Sequence, residues 1–134
     1  MNGVVVVRSL LAASNAVTSL VPSERIQAGV LPQGTALPSI SVEQVSGNDV
    51  NMIDEGAMRH VNDRVQVTVL AGNYPTQRAI LSAVKRACAS KFPTVNGIEN
   101  VTVHSEGTGP DFMNETASIY MGSHDFRVRY NEPT

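Results

Sequence analysis

The sequence predicts an α+β fold in which two helices pack on one face of a mostly antiparallel sheet of about five strands. In two segments apolar residues recur at three- and four-residue steps, as they do in amphipathic helices. Elsewhere short runs of β-branched residues alternate with polar ones, as they do in half-buried strands. The strands come in runs instead of alternating one by one with helices, and this order favours antiparallel pairing.

Length and composition limit the classes of protein to consider. The chain has 134 residues, which suits one domain over residues 1–134. Its 42% apolar and 16% charged residues are ordinary for a globular protein and exclude a disordered tail. Ten Lys and Arg against twelve Asp and Glu give a formal charge of -2, so bulk binding of nucleic acid is not expected. No segment approaches the roughly 20 apolar residues that cross a bilayer, so we expect no membrane partner.

The first helix is predicted over residues 3–20. Asn2 is the expected N-cap, and Pro22 marks the end. The run from Val4 to Val7 also fits a strand, because short apolar runs do not distinguish the two structures. Its apolar positions are Val4, Val7, Leu10, Leu11, Val17, Leu20 and Val21.

Three strands are expected next. Those over 25–31 and 38–46 are predicted to pair antiparallel, joined by a connection rich in Pro and Gly. Residues 47–60 lack a sustained period and are predicted to form a long surface loop. A third strand, 62–70, has valines alternating with polar residues.

The second helix opens at A-G-N-Y-P-T, with Pro75 in its first turn, and ends before Pro93. Strands over 98–105 and 117–130 follow, and the Gly- and Asn-rich residues 106–115 between them are predicted to form a loop. The helix has an apolar stripe of Ile80, Leu81, Val84, Ala87 and Cys88.

No catalytic, cofactor or metal site is predicted. The three histidines match no ligand spacing, and surface histidines without a chemical role explain them. The alternative is that pairing of the last two strands brings His104 and His124 together beside Asp125, Glu106 or Asp63. The histidines are His60, His104 and His124.

Cys88 is the single cysteine, so no intramolecular disulfide is possible. It lies four residues after Val84 and seven after Leu81, on the apolar stripe of the second helix. This position predicts core packing, not a reactive nucleophile.

Two passages carry a resemblance to a known family. R-I-Q-A-G-V-L-P-Q-G at 25–34 and A-L-P-S-I-S-V at 36–42 follow a small-residue-rich first helix. A V-Q-V-T-V-L-A strand and an R-A-I-L-S-A-V-K-R helix come later. In order and spacing, to about residue 91, the chain resembles the tail-completion, or tail-terminator, proteins of long-tailed bacteriophages. Ser39 stands where this family more often has an aromatic residue.

The resemblance implies a structural virion protein without a catalytic residue or a cofactor. Such a protein forms a homo-oligomeric ring, usually of six subunits, that caps the head-proximal end of the tail tube and ends tail polymerisation. Its expected partners are the tail tube protein and the head-completion or neck connector proteins, and DNA passes through its channel without specific binding. The expected location is the head-proximal end of the virion tail, and the host cytoplasm during assembly.

The two long loops are the candidate interfaces. They combine apolar side chains with acids, and such a surface suits contact with the tube or an adjacent subunit. Two mobile surface loops without a function are the alternative. For the whole protein, the competing functions are another head–tail connector ring and a small cytoplasmic enzyme that uses the histidines. The candidate residues are Asp49, Met52, Ile53, Asp54, Glu55, Met58, Asp111, Phe112 and Met113.

Overall fold

The computed structural model of the chain describes residues 2–29, 36–50, 58–89, 91, 93, 98–109, 112–114 and 119–133. Three α-helices and a short 3-10 helix accompany one sheet in this part of the chain. In chain order the elements are α1 (Asn2–Ala13), α2 (Asn15–Thr18), the 3-10 helix (Ser23–Arg25), β1 (Ile26–Ala28), β2 (Ser39–Val50), β3 (Met58–Ala71), α3 (Tyr74–Cys88), β4 (Glu99–Thr108), β5 (Phe112–Asn114) and β6 (Ile119–Pro133).

The first helical segment is interrupted at Ser14. The backbone of Ser14 is extended, with φ -85° and ψ 117°, and its hydroxyl accepts a hydrogen bond from the amide of Val17 at 3.4 Å. Ser14 is therefore the N-cap of the new helix α2. The prediction of one continuous helix over residues 3–20 is wrong at this point. Apolar periodicity continues across the cap and does not reveal it.

The sheet has the strand order β1-β2-β3-β6-β4, and β5 also pairs with β6. Along β6, residues His124 to Asn131 pair with β4 and Ile119 to Met121 pair with β5. β3 occupies the other side of β6 along its length. β4 and β5 therefore share one edge of the sheet, which has five strand positions.

β1 and β2 are parallel, with Ile26 opposite Ile40 and Ala28 opposite Val42. The prediction that these two strands pair antiparallel is wrong. Alternation of apolar and polar residues has the same period in both directions, so it does not report the direction of pairing. All other strand pairs in the described residues are antiparallel, as expected for most of the sheet.

Apart from β1, the predicted strands are longer than the sequence indicates, and strands take up much of both predicted loops. Residues 47–50 belong to β2 and 58–60 to β3, while 106–108 belong to β4 and 112–114 to β5. α1 begins beside Asp63, since the amide of Gly3 lies 3.3 Å from its carboxylate. Just before the valines of β3, Arg59 and Asp63 occupy the same phase as the buried Val61, so the apolar alternation that marks a strand is interrupted in the sequence.

α3 begins where the sequence predicts, with Pro75 in its first turn, and Asn73 is its N-cap. The side chain of Asn73 accepts a hydrogen bond from the amide of Thr76 at 2.9 Å, and Pro75 lies in the first turn. Six of its residues are buried: Gln77, Ile80, Leu81, Ala83, Val84 and Cys88. The apolar stripe therefore faces the sheet, and Gln77 is a polar residue that the stripe does not predict.

Both long helices pack on the same face of the sheet. On β3 the buried side chains are in one phase, and on β6 the residues paired with them are also buried. The α+β fold class, with the helices on one face, is confirmed. The centre of the core is formed by Val65, Val67, Val69, Ile40, Val42, Phe126, Val128, Val7, Leu11, Ile80 and Val84.

Candidate interface

One candidate segment lies at the end of a three-strand extension that we call the arm: residues 46–50 of β2, 58–62 of β3 and 129–133 of β6. Asp49 is paired with Val61, and Met58 with Pro133. The arm thus places Asp49 and Met58 in strands, not in a loop. The other four residues predicted here, Met52, Ile53, Asp54 and Glu55, lie outside the described residues.

The second candidate segment lies at the opposite end of the sheet. Phe112 pairs with Met121 and Met113 with Tyr120, beside the end of β3 at Ala71. Asp111 lies outside the described residues. Because β3 runs from Met58 to Ala71 and a strand rises about 3.3 Å per residue, the two segments are about 40 Å apart. They do not form one site.

An aromatic cluster accompanies the second segment. The rings of Tyr74, at the start of α3, and Tyr120 are 6.4 Å apart between centroids, at 62°. This edge-to-face geometry is favourable. Tyr74 is 44% exposed and Met113, paired with Tyr120, is 40% exposed. Met113 was predicted from the sequence as a contact residue, but Tyr74 was not, because its position before Pro75 indicates only the start of a helix.

A buried carboxylate lies where the arm begins. Asp63 is 2% exposed and accepts hydrogen bonds from the Tyr130 hydroxyl at 2.8 Å and from the Gly3 amide at 3.3 Å. A Cβ on Gly3 would lie 2.8 Å from one carboxylate oxygen, and a Cβ on Gly47 would lie 2.6 Å from the other. The absence of a side chain at Gly3 and Gly47 therefore leaves room for the Asp63 carboxylate. Asp63 links the start of α1 to β6 through its hydrogen bonds and lies against Gly47 of β2.

The face of the sheet away from the helices carries ion pairs. Arg64 donates two hydrogen bonds to one oxygen of Asp125, at 2.6 and 2.9 Å. Arg127 binds both oxygens of Glu106, at 3.1 and 3.2 Å, and also donates to the side chain of Asn62 at 3.2 Å. The hydrogen bond from Arg127 lowers the pKa of the Glu106 carboxyl, and Glu106 raises the pKa of Arg127. These charges largely satisfy one another.

The histidines do not come together. His104 lies opposite Arg127 on the open face, whereas His124 is 2% exposed on the helix side. A third histidine, His60, lies 2.9 Å from the Asn131 side chain, in the arm. The alternative prediction of a His104–His124 cluster is therefore wrong, because the two residues lie on opposite faces of the sheet. The described residues contain no group of three metal-ligating side chains.

His124 is held by two hydroxyl groups. Its Nε2 lies 2.6 Å from the Ser105 Oγ and its Nδ1 lies 2.9 Å from the Thr108 Oγ1. A neutral imidazole donates from one nitrogen and accepts at the other, so both contacts are satisfied without a charge on the ring. Burial, together with the charge of Lys85, lowers the pKa of His124, although Asp125 acts in the opposite direction.

Cys88 lies in the core, as predicted. It is fully buried, and burial raises the pKa of its thiol to about 12. The thiolate that nucleophilic chemistry requires is therefore scarce at neutral pH.

The burial of Asp63 was not predicted, although the sequence carries a signal for it. Asp63 stands two residues before Val65 and so in phase with the buried valines of β3. This phase indicates a buried carboxylate. In the described part of the chain, no helix has the length and apolar character needed to span a membrane.

Comparison with solved structures gives a class for this fold. A chain in a structure titled "Virion of native gene transfer agent (GTA) particle" superimposes with a TM-score of 0.68. The alignment covers 93% of this chain and 91% of that chain, at 16% sequence identity. At this identity the likeness establishes a shared fold. Among curated proteins there is no match.

The sequence itself identifies the family. Residues 5–131 match the family described as "Tail completion protein gp17", and the chain belongs to this family. It is therefore a structural protein of phage tails. The family predicted from residues 25–42 and 65–86 is confirmed.

Proposed function

We propose that the chain forms a ring that caps the head-proximal end of a phage tail tube, ends tail polymerisation and provides the surface to which the head is joined. The observation that carries this proposal is the family match, which spans residues 5–131. In this proposal residues 1–134 form a single tail-terminator domain, and the mature protein resides in the virion tail after assembly in the host cytoplasm. The shared fold with a chain of a gene transfer agent virion supports a virion location.

A capping role also has a geometric requirement. A protein that ends a polymer must not polymerise further along the same axis, and a closed ring meets this requirement because its head-to-tail contacts are used up within the ring. The ring is proposed to be a hexamer. Its partners are the tail tube protein on one side and the head-completion or neck connector proteins on the other. DNA passes through the channel without specific binding, and catalysis is not part of the role.

The contacts with these neighbours are proposed to involve the nine residues singled out from the sequence. At one end of the sheet, Met113 is one of these residues; it is 40% exposed and paired with Tyr120. Asp49 and Met58, which also belong to this set, lie in the arm. At about 3.3 Å per strand residue, the arm end of the sheet is about 40 Å from Met113. Because the two sets are so far apart, they contact different neighbours.

The proposal is tested by purifying the chain alone and by mixing it with two kinds of tail tube. One kind already carries a terminator and the other has none. We expect light scattering after size-exclusion chromatography to give a closed oligomer, or electron microscopy to show a ring at one end of each uncapped tube. Tubes that already carry a terminator are the control and should gain no ring. A chain that remains monomeric alone and on uncapped tubes contradicts the proposal.

A further inference from the structure

The helical layer of the molecule contains no carboxylate. All twelve Asp and Glu residues of the chain lie outside α1, α2 and α3. Of the ten Lys and Arg residues, four lie in these helices: Arg8, Arg78, Lys85 and Arg86. Arg8 donates a hydrogen bond to the carbonyl of Ile26 at 3.0 Å, and the other three cations belong to α3. All charged residues of α3 are therefore cations.

The cations of α3 have no carboxylate partner among the described residues. On the strands below the helix, Asp63 is 2% exposed, and Glu106 and Asp125 are bound by arginines on the open face of the sheet, away from the helices. The other two acids of these strands lie in or beside the arm: Glu99 and Glu132. The positive charge of α3 is thus not neutralised within the described part of the chain.

Two of these cations are in line with an exposed aromatic ring. Tyr74, Arg78 and Lys85 stand at positions i, i+4 and i+11 of α3, so they lie on one side of the helix, about three turns apart from first to last. At a rise of about 1.5 Å per residue, this row is about 17 Å long. All three residues are exposed. We call the surface formed by these three residues the α3 strip.

The α3 strip continues into the contact surface proposed at Met113. The ring centroids of Tyr74 and Tyr120 are 6.4 Å apart, and Tyr120 is paired with Met113 in the sheet. Tyr74 is 44% exposed and Met113 is 40% exposed. One end of the combined surface is thus apolar and the other end is cationic. Tyr, Met and Arg are residue types that are enriched at protein interfaces.

This composition favours a protein over nucleic acid as the occupant. Phosphates are bound by cations and polar groups, and they gain nothing from an exposed Tyr and Met beside those cations. The formal charge of -2 on the whole chain also opposes the binding of a polyanion. A protein surface with a pocket for Tyr74 and Met113 and with carboxylates opposite Arg78 and Lys85 complements both ends.

The arm lacks comparable apolar anchors. Among the described residues, none of the five exposed large apolar side chains lies in the arm, whereas Tyr74 and Met113 lie at the opposite end of the sheet. In the proposed function, the tube is the neighbour that has to be held against displacement by a further tube subunit. Aromatic anchors that become buried supply such affinity. The Met113 end therefore suits the tube.

We propose that the α3 strip, together with Met113, binds an acidic surface of the tail tube protein that contains an apolar pocket. Tyr74 and Met113 enter the pocket, and Arg78 and Lys85 face carboxylates of the tube. The inference rests on the proposed function, and it names the end of the molecule and the chemistry through which the tube is held.

Charge reversal tests the cationic half of this surface. Arg78→Glu and Lys85→Glu, singly and together, are compared with the parent by cosedimentation with purified uncapped tail tubes. The double variant should bind tubes about tenfold more weakly or worse, since like charges then meet. Salt of about 0.5 M should weaken the parent in the same direction.

Two further variants are the controls for charge. Arg129→Glu makes the same change as Arg78→Glu at an exposed position on the open face, and it should bind tubes like the parent. Arg78→Lys with Lys85→Arg keeps both positive charges and should also bind like the parent. Loss of binding in either control contradicts a charge contact at the α3 strip.

Replacement of Tyr74 tests the apolar half. Tyr74→Ser should weaken tube binding about tenfold or more, because an aromatic anchor is lost. Val5→Ser is the matched control at a side chain that is 47% exposed on α1, and it should have no effect. Thermal melting checks that each variant is folded, and light scattering checks that each forms the same oligomer as the parent.

Different failures have different meanings. If the parent caps tubes and the variants bind them equally well, this inference is wrong and the proposed function stands. Folded variants that no longer form the parent's oligomer would assign the α3 strip to a second copy of the chain. Variants that cap tubes but lose affinity for duplex DNA would assign it to nucleic acid, and variants that cap tubes but no longer join heads would assign it to the head side. Each of these results overturns the proposal. A parent that does not bind uncapped tubes removes the proposed function and this inference together.

Discussion

At the scale of single residues, Asp63 connects parts of the chain that are far apart in sequence. It accepts hydrogen bonds from Gly3 and Tyr130, which are 60 and 67 residues away in the sequence. No local pattern predicts such partners, which explains why the sequence analysis placed Asp63 only near a hypothetical histidine cluster. The phase of Asp63 among the valines of β3 does predict its burial.

Replacement of Asp63 should destabilise the fold. We expect Asp63→Asn to lower the free energy of unfolding by about 2 kcal/mol, because the buried Tyr130 hydroxyl loses a charged acceptor. Tyr130→Phe should cost about 1 kcal/mol. Urea titration of the two single variants and the double variant measures the coupling between these residues. Glu24→Gln, at an exposed carboxylate, is the control and should stay within about 0.5 kcal/mol of the parent. Additive effects of the Asp63 and Tyr130 variants contradict the proposed contact.

The buried His124 predicts a pH dependence of stability. Since burial lowers the pKa of His124 in the folded state below its ordinary value of 6.5, the unfolded chain binds more protons in the pH range between the two. Its contribution to stability is complete above pH 6.5 and is lost as the pH falls through the folded-state pKa. The melting temperature should therefore decrease as the pH falls below 6.5.

His124→Gln should flatten this dependence, because an amide retains hydrogen bonds to Ser105 and Thr108 but does not titrate. Melting curves between pH 7.5 and pH 5 measure the slope, with His104→Gln as the control at an exposed position. An unchanged slope in His124→Gln would mean that other groups control the acid sensitivity.

At the scale of elements, the sequence predicts best what depends on local spacing. α3 has a cap at Asn73, a Pro in its first turn and an apolar stripe, and all three are local. The phase of β3 was predicted for the same reason. The direction of β1 and the length of the arm were not predicted, because they depend on partners that are distant in the sequence. The break at Ser14 was missed although its cap is local, because the apolar periodicity continues across it.

The two sides of α3 should differ in their sensitivity to substitution. Leu81 is 5% exposed and Val84 is fully buried. Leu81→Ala is expected to cost about 2 to 4 kcal/mol, and Val84→Ala somewhat less. Arg78→Ala and Lys85→Ala, on the exposed side, should cost no more than about 0.5 kcal/mol. Denaturant midpoints measure all four, and equal losses on both sides contradict the helix phase.

At the scale of the whole molecule, most of the core and the proposed contact residues lie at different levels along the sheet. The helices cover the strands between the levels of Asp63 and Ala71, whereas the arm extends past Asp63. Val61 and Tyr130 carry the core into the base of the arm, so a change has to lie past Val61 to leave these core side chains in place. The sequence predicts candidate contact residues at this end but not that strands carry them, since the pairing partner of 58–60 is 131–133, at the far end of the chain.

Shortening the arm should separate folding from assembly. Replacement of residues 51–57 by Asn-Gly leaves a four-residue connection between the paired Val50 and His60, within the usual range for hairpins. We expect this variant to melt within a few degrees of the parent, because it keeps every core side chain of the described residues, and to form fewer rings or leave tubes uncapped. Light scattering, electron microscopy of tubes and tail length in a complementation assay give the readout.

A second variant determines which property of the segment matters. Met52→Ser with Ile53→Ser keeps the length of the connection and removes its two large apolar side chains. If contact with a neighbour depends on those side chains, this variant should fail in assembly as the shortened one does, since flexible apolar groups supply the contact. If this variant assembles normally and the shortened variant fails, assembly depends on the length of the connection and not on its apolar side chains. Normal rings and tails of normal length from both variants would make the segment a spacer and leave the sheet edges as the contact surface.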